Sequence, residues 1–313
     1  MAPKRIKKAR TKDSQEVLQR LEEYLENSCD EPVQILCGFW KDQQNVITYQ
    51  ELRRAVEDGT ISQETLQLWQ QDYSVLVANK LSYLWQDAMA AGSVGQPILD
   101  GLVFQFDLQT PAIKAWISEH GAEFVTASTK EQKNAIAALL TKKMRDRHTV
   151  DELSRFIRPC IGLTEGQAKA NVRYYEHIVA TMRKDHPRMK QESIERKARD
   201  AAAKYAERQH RQRAMTIAQT ESAFAYNRGA DEGIRQAQEQ DLIGPVIKRW
   251  STSGDDHVCS ICQALEGVEV EMDEGFSFQG KKLFSGHDLL PPAHPRCACA
   301  IEYIEKSLSV GRK

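Results

Sequence analysis

The chain has 313 residues, of which 41% are hydrophobic and 28% charged, and its 43 Lys and Arg nearly balance 44 Asp and Glu. This length and apolar content predict two or three units with cores of their own and exclude a wholly disordered chain, and the formal net charge of -1 confines any nucleic-acid affinity to local patches. Because no run of about eighteen apolar residues occurs, we expect no membrane association, no secretory signal and folding in the cytosol.

Residues 1–13 are predicted to form a flexible basic arm, because they combine many cations with little apolar content. The cations of the arm are Lys4, Arg5, Lys7, Lys8, Arg10 and Lys12. Two interpretations stay open: the arm contacts nucleic-acid phosphates, or it is a solubilising tail.

Region 14–95 is predicted to be helical. Residues 14–27 carry apolar side chains at helical spacing and predict a first helix. A capping box of Thr48 and Glu51 opens a short helix, and a longer helix follows that we expect to end at Gly92.

Region 96–187 is predicted to be a second helical region that follows a hinge. The hinge contains a short run, 102–106, whose pattern predicts a connecting strand. Gly121 and Gly162 are expected to end helices. Four threonines mark predicted helix starts: Thr110, Thr129, Thr149 and Thr164. Gln132, three residues after Thr129, is the predicted capping partner of that threonine.

Region 188–244 is predicted to form one long helical segment, interrupted only by Gly229 and Gly233. Between residues 184 and 213 the chain has ten basic and five acidic residues. A nucleic-acid or partner-facing surface and an ordinary solvated helix face both fit this excess. The nucleic-acid candidates here are Arg196, Lys197 and Arg199.

Region 245–306 predicts a small α+β module, followed by a tail at 307–313. The pattern indicates strands at 246–252, 268–272 and 298–304 and a short helical turn at 259–265. The predicted fold is therefore mainly α, a multi-helix extended body with a small C-terminal α+β Cys/His-rich module.

Five possible metal ligands gather in this module: Cys259, Cys262, His294, Cys297 and Cys299. The spacing Cys-x-x-Cys lets one turn present two thiolates, and any four of the five donors would complete a tetrahedral zinc site. Structural zinc is our preferred interpretation. Unligated thiols packed in a core and disulfides are the alternatives.

A metal-dependent nuclease is a remote alternative, in which His257, His287 and Asp288 would supply acid and base groups. Four protein ligands would leave no open coordination position for water, and no Asp-His or His-His doublet leads a strand-turn-helix unit. We therefore do not predict an enzyme.

The stretch 213–229 places Glu221 on a helix face that also holds apolar groups, so its carboxylate requires a partner. Our preferred role is structural: Glu221 would bond the C-terminal module and fix how it docks. Surface exposure and a catalytic role are the alternatives, and catalysis would need a second acid, a base or a metal in reach.

The order of these motifs over about 151–304 resembles the phage Mu F-like minor head protein family, also called the phage head morphogenesis family. The residues that carry the resemblance are the pair Thr220-Glu221 with Asn227 and Gly229, then Trp250, Thr252 and Asp255, and then the Cys/His motifs with Pro291. From these and the helix stretch we expect a set of docking residues: Arg213, Thr220, Glu221, Asn227, Trp250, Thr252 and Asp255.

The resemblance implies a minor head (capsid) protein of a tailed bacteriophage or prophage that acts in head morphogenesis at the portal vertex and is not an enzyme. Its implied partners are the portal protein, capsid or scaffold proteins and packaged phage DNA. Its implied place is inside the virion head near the portal, after assembly in the host cytoplasm. A sequence-independent DNA-binding zinc module is the alternative.

Overall fold

The computed structural model describes residues 11–145, 147–254, 258–280, 283 and 289–306, and within these ranges not the side chains of 142 and 143. Several predicted residues lie outside the described part: Lys4, Arg5, Lys7, Lys8, Arg10, Asp255, His257, His287 and Asp288.

The fold is mainly helical, with one small antiparallel sheet near the C-terminus, which confirms the predicted fold class. The helices are α1 (Lys12–Ser28), α2 (Asp30–Val46), α3 (Tyr49–Asp58), α4 (Gln63–Leu76), α5 (Ser82–Ser93), α6 (Pro111–Leu139), α7 (Lys142–Arg145), α8 (Val150–Ile157), α9 (Glu165–Asp185), α10 (Gln191–Glu239) and α11 (Ser260–Leu265). A π-helical turn (Val77–Leu81) joins α4 to α5, and 3-10 turns lie at Pro97–Leu99 and Arg158–Cys160. In the described part of the chain, no helix is long and apolar enough to cross a membrane.

The described chain divides into two compact units. The helical unit comprises Glu31–Ser82 and Ser118–Met215. The sheet unit comprises Met1–Asp30, Tyr83–Ile117 and Thr216–Lys313. Each unit therefore combines stretches that lie far apart in the sequence.

Local capping signals begin the helices where we predicted them. Complete capping boxes open α3 at Thr48, α8 at Thr149 and α9 at Thr164, and in each the threonine side chain accepts the N3 backbone N–H. Gly59 ends α3 with a φ of 72°, a left-handed conformation that glycine adopts without steric cost.

The predicted helix start at Thr129 and stop at Gly121 are wrong, because α6 runs through both positions. Gln132, which we interpreted as a capping partner, is fully buried. Its amide accepts a hydrogen bond from the Tyr73 hydroxyl at 3.0 Å and donates one to the Gln43 side chain at 3.3 Å. Tertiary hydrogen bonds of a core amide therefore override the local capping pattern.

The predicted strand at 102–106 is also wrong, because these residues form no strand. Side chains of α10 bond the irregular backbone instead. The Gln236 amide accepts from the Asp107 N–H at 2.8 Å and donates to the Asp107 carbonyl at 3.0 Å, while Gln240 donates to the Gln105 carbonyl. These bonds from the end of α10 and from Gln240 just after it satisfy backbone groups of Gln105 and Asp107 without a neighbouring strand.

The helical unit packs around buried side chains of α3, α6, α8, α9 and α10. Beside this core, the Trp40 indole donates to the Tyr73 hydroxyl at 2.9 Å. Gly162 has a φ of 87°, and a Cβ at this position would lie 2.4 Å from the Trp40 ring. The isolated Cys160 is fully buried, and burial raises the pKa of its thiol to about 12, as expected for a core thiol.

In the sheet unit, α5 packs against α10 at backbone contact distance. A Cβ on Gly229 would lie 2.1 Å from the Met89 carbonyl oxygen, and one on Gly92 would lie 2.0 Å from the Tyr226 carbonyl oxygen. The glycines of α10 therefore do not interrupt the helix as we predicted; they admit the backbone of α5.

The sheet contains β1 (Val246–Ser251), β2 (Glu269–Glu271) and β3 (Ala300–Glu305), in the order β2-β1-β3 with both pairs antiparallel. All three strands lie within or next to their predicted positions. Helix α1 packs on this sheet: Thr11 donates to the Glu302 carboxylate at 2.6 Å, and Ser14 to the Ser251 hydroxyl at 2.8 Å.

Candidate metal centre of the C-terminal module

A short helix presents the first two cysteines of the cluster. Cys259 is the N-cap of α11, and its sulfur accepts the backbone N–H of Cys262 at 3.4 Å. An N-cap position places its side chain back over the first turn, and so Cys259 and Cys262 face the same side. The Cys262 side chain is buried and Cys259 is half-buried.

A tight turn before β3 presents the other donors. The N–H of Cys297 donates to the His294 carbonyl at 3.1 Å, and Arg296 between them has a φ of 60°. Cys297 and Cys299 are both buried, at 3% and 4% exposure. The turn thus brings His294 and two cysteines to α11 from more than thirty residues further along the chain.

The five donors form two overlapping groups that share Cys262. One is Cys259, Cys262 and His294, and the other is Cys262, Cys297 and Cys299, with the donor atoms of each group within 4.8 Å of one another. The Cys262 sulfur lies 3.3 Å from His294 Nε2 and 3.6 Å from the Cys297 sulfur. A tetrahedral ion with metal–sulfur bonds of about 2.3 Å separates two sulfurs by about 3.8 Å. The donor spacing fits such an ion.

The orientation of His294 also suits a ligand. Its Nδ1 lies 2.9 Å from the Pro295 carbonyl oxygen, which favours a proton on Nδ1 and leaves the Nε2 lone pair toward Cys262. Metal-binding histidines commonly have this arrangement, in which a carbonyl fixes the tautomer of the ligand.

The three clustered thiols share their protons unequally. Hydrogen bonds from Cys262 and Cys299 lower the pKa of Cys297 to about 3. Hydrogen bonds with Cys262 and then Cys297 raise the pKa of Cys299, and the hydrogen bond with Cys297 raises the pKa of Cys262. Since a thiolate is the form that binds metal, the cluster already stabilises one anionic ligand before any ion enters.

Helix α10 holds β3 and the turn before it through a row of polar side chains. Thr220 accepts the Arg296 N–H at 3.0 Å, Asn227 donates to the Cys299 carbonyl at 3.3 Å, and Asp231 accepts from the Tyr303 hydroxyl at 2.9 Å. The three side chains lie on one face of the helix, at steps of seven and four residues. We call these three residues the α10 polar row.

Comparison with known protein families gave one family match. Residues 134–302, more than half of the chain, match the family model described as phage Mu protein F like protein. The chain belongs to the phage Mu protein F-like family. Comparison with curated proteins and with solved structures gave no match. The family match points to phage head morphogenesis, a structural rather than a typically enzymatic role.

The family match contains the whole α10 polar row and all five metal donors. Sequence reasoning singled out Thr220 and Asn227 but missed Asp231 and Tyr303. Tyr303 is buried, and burial together with the Asp231 charge raises its pKa well above the usual value. The four-residue step from Asn227 to Asp231 was the signal that could have located Asp231.

The other predicted docking residues of the family region have separate surroundings. Trp250 is fully buried and packs on Phe276, with ring centroids 5.0 Å apart at 72°. The backbone N–H of Thr252 donates to the Glu266 carboxylate at 2.7 Å. Glu221 is half-buried on α10.

Arg213 makes its contacts within the helical unit rather than with the C-terminal module. Its guanidinium donates to the Gly162 carbonyl and the Glu131 carboxylate, each at 2.5 Å, and lies 5.0 Å from the Trp40 ring centroid. A buried arginine with two acceptors is a core element of that unit.

We expect Thr220→Val to loosen the turn before β3, because valine keeps the side-chain shape but leaves the Arg296 N–H without its acceptor. The expected cost is about 1 kcal/mol in the free energy of unfolding. Hydrogen exchange at the Arg296 amide should accelerate.

The matched control is Thr126→Val, because the Thr126 and Thr220 hydroxyls both donate to the carbonyl four residues before them. Unchanged exchange at Arg296 in Thr220→Val would mean that this hydrogen bond does not hold the turn.

Proposed function

We propose that this protein is a minor head protein of a tailed phage or prophage and acts at the portal vertex as an assembly component without substrate turnover. The observation that carries the proposal is the match of residues 134–302 to the phage Mu protein F-like family. The partners we propose are the portal protein first, and capsid or scaffold proteins second. The proposed location is the virion head near the portal, after assembly in the host cytoplasm.

The chemistry of the module supports a structural role. The cysteine and histidine side chains converge on one another, and Thr220 and Asn227 of the α10 polar row bond backbone groups of Arg296 and Cys299. A module of about sixty residues has little core of its own and gains stability from a covalent or metal cross-link.

The portal proposal predicts that the purified full chain binds purified portal rings of the same phage. Co-sedimentation of the two proteins is the measurement, and shells assembled from the major capsid protein without portal are the control. We expect the chain to sediment with portal rings and not with such shells. Binding to shells alone would instead favour a capsid-bound role, and binding to neither would contradict the proposal.

We further propose that the Cys/His cluster binds one structural zinc ion through four of its five donors. Three sulfurs and one imidazole form the donor set of many structural zinc sites, and the spacing of these donors matches a tetrahedron. When bound, the ion would link α11 to the turn before β3 and so close the module.

Metal analysis of the purified protein should give about one equivalent of zinc. Cys262→Ser should abolish zinc binding, because Cys262 belongs to both donor groups. Cys259→Ser and Cys299→Ser separate the two groups, since the variant that keeps zinc identifies the fifth, unused donor.

The control for these variants is Cys37→Ser, which changes a half-buried thiol of α2 outside the cluster and should leave the zinc content unchanged. Chelation should lower the thermal stability of the wild type but not that of Cys262→Ser. Metal-free wild type whose stability chelation does not alter would contradict the zinc proposal and leave the family assignment unaffected.

We also propose sequence-independent contact with packaged DNA. Arg196 and Lys197 are exposed on α10, Arg199 is half-buried beside them, and Lys12 is exposed at the start of α1. Exposed cations of this kind bind phosphates by releasing counterions and read no base sequence.

Fluorescence anisotropy with a random-sequence duplex should show binding that weakens steeply with salt. Arg196→Gln with Lys197→Gln should reduce the slope of log affinity against log salt by about two, one for each lost phosphate contact. The control is Lys41→Gln, an exposed lysine of α2. An equal reduction in the control would mean that net charge alone, and not this surface, determines binding.

A further inference from the structure

The four cysteines of the C-terminal module differ in their access to solvent. Cys262, Cys297 and Cys299 are buried, at 2%, 3% and 4% exposure, and Cys259 alone of the four is half-buried. All four are free thiols. A reagent that arrives from solution therefore meets Cys259 first, because the reaction of a thiol requires access to its sulfur.

Of the other cysteines of the module, only Cys262 shares a donor group with Cys259. The two sulfurs lie within 4.8 Å of each other, and the Cys262 backbone N–H donates to the Cys259 sulfur at 3.4 Å. Cys297 and Cys299 are grouped with Cys262 but not with Cys259. A mixed disulfide formed on Cys259 therefore has the Cys262 thiol as its neighbour.

Cys259 and Cys262 also have the spacing of redox-active thiol pairs. They form a Cys-x-x-Cys sequence at the start of α11, in which the first thiol is half-buried and the second is buried. Thiol pairs of this spacing form and break disulfides by exchange with small molecules, whereas an isolated buried thiol such as Cys160 is inert.

We propose that Cys259 and Cys262 form a disulfide by exchange with a low-molecular-weight disulfide, and that this oxidation releases the zinc ion. The disulfide requires only the thiol pair, while the release of zinc rests on the zinc site proposed above. Cys262 controls the release, because both donor groups contain it. After the oxidation three of the five donors remain, one fewer than a closed structural site needs.

The exchange has two steps. The Cys259 thiolate attacks one sulfur of the small disulfide, which forms a mixed disulfide and expels one small thiolate. The Cys262 thiolate then attacks the Cys259 sulfur and expels the second small thiolate. The two cysteines lose two electrons, and the small disulfide gains them. The expelled thiolates take up the protons that the cysteine thiols released, or protons from water where zinc had held a thiolate.

The disulfide lies within one turn of α11, whereas the zinc ion links α11 to the turn before β3. Oxidation therefore removes that link without replacing it. The bonds from Thr220 and Asn227 to the same segment involve no sulfur atom, and so we expect the module to loosen at α11 while β3 stays in place. A reducing cytosol favours the zinc-bound form, and oxidising surroundings outside a cell favour the disulfide.

Oxidised glutathione is the probe, applied to the purified full chain loaded with zinc. Trypsin cuts after Arg249, Lys281 and Arg296, so that Cys259 and Cys262 share the peptide 250–281 while the other two cysteines lie in 297–306. We expect peptide 250–281 to lose the mass of two hydrogens and to carry no glutathione. A zinc-sensitive dye should report release of the metal over the same time course. A dithiol reductant should restore both thiols and zinc binding.

Cys259→Ser removes the accessible thiol and leaves the three buried ones. The loss of free thiols in the module should then be at least about tenfold slower, because thiol reactivity follows exposure. Free thiols can be counted whether or not this variant holds zinc. Cys37→Ser is the control, because it removes a half-buried thiol of α2 outside the module and should change neither the disulfide nor the release of zinc.

Three results would overturn the proposal: glutathione that stays attached to Cys259, a cross-link between peptides 250–281 and 297–306, or module thiols that oxidise as fast in Cys259→Ser as in the wild type. Zinc that stays bound after the disulfide has formed would overturn the release step. A chain that never holds zinc but forms the disulfide would contradict the zinc site and support the thiol exchange.

Discussion

The sheet unit depends on the hydrogen bonds between the α10 polar row and the segment 296–303. Each of Thr220, Asn227 and Asp231 pairs with a group of that segment that would otherwise lose water on folding without gaining a partner. An unpaired buried polar group costs more free energy than its hydrogen bond contributes, so the segment has one favourable position along the helix. Cys297 lies between the bonded positions 296 and 299, and Cys299 is itself bonded, so the same bonds position two donors of the candidate metal centre.

Two glycines and helix α1 also contribute to the packing of the sheet unit. At Gly92 and Gly229 the backbones of α5 and α10 approach so closely that a Cβ on either glycine would overlap a carbonyl oxygen of the other helix. No larger residue permits this distance. Helix α1, which precedes the family match by more than a hundred residues, bonds β1 and β3 through Ser14 and Thr11. The region that matches the family therefore relies on a segment outside it to cover its sheet.

The candidate metal centre and the polar row both include groups of the turn before β3. Thr220 and Asn227 of the polar row position the turn through uncharged donors and acceptors, which keep their strength over a wide range of pH, while Asp231 holds Tyr303 through its carboxylate. In the cluster, hydrogen bonds from the neighbouring sulfurs lower the pKa of Cys297 and so favour the thiolate form that a metal ion binds. Together they explain how a short segment with little regular structure is held in a defined conformation.

The sequence by itself determined the local structure: capping boxes at Thr48, Thr149 and Thr164, the strands of the module and the Cys/His donor set all follow from short-range patterns. Only the tertiary structure decided which donors approach each other, because Cys262 and His294 are 32 residues apart and their separation depends on a turn and a helix between other elements. Tertiary contacts also make Gln132 a buried core amide where the sequence predicted a helix cap. Residues 102–106 are irregular where the sequence predicted a strand. In both cases partners from distant segments satisfied the polar groups that local patterns would have paired within their own neighbourhood.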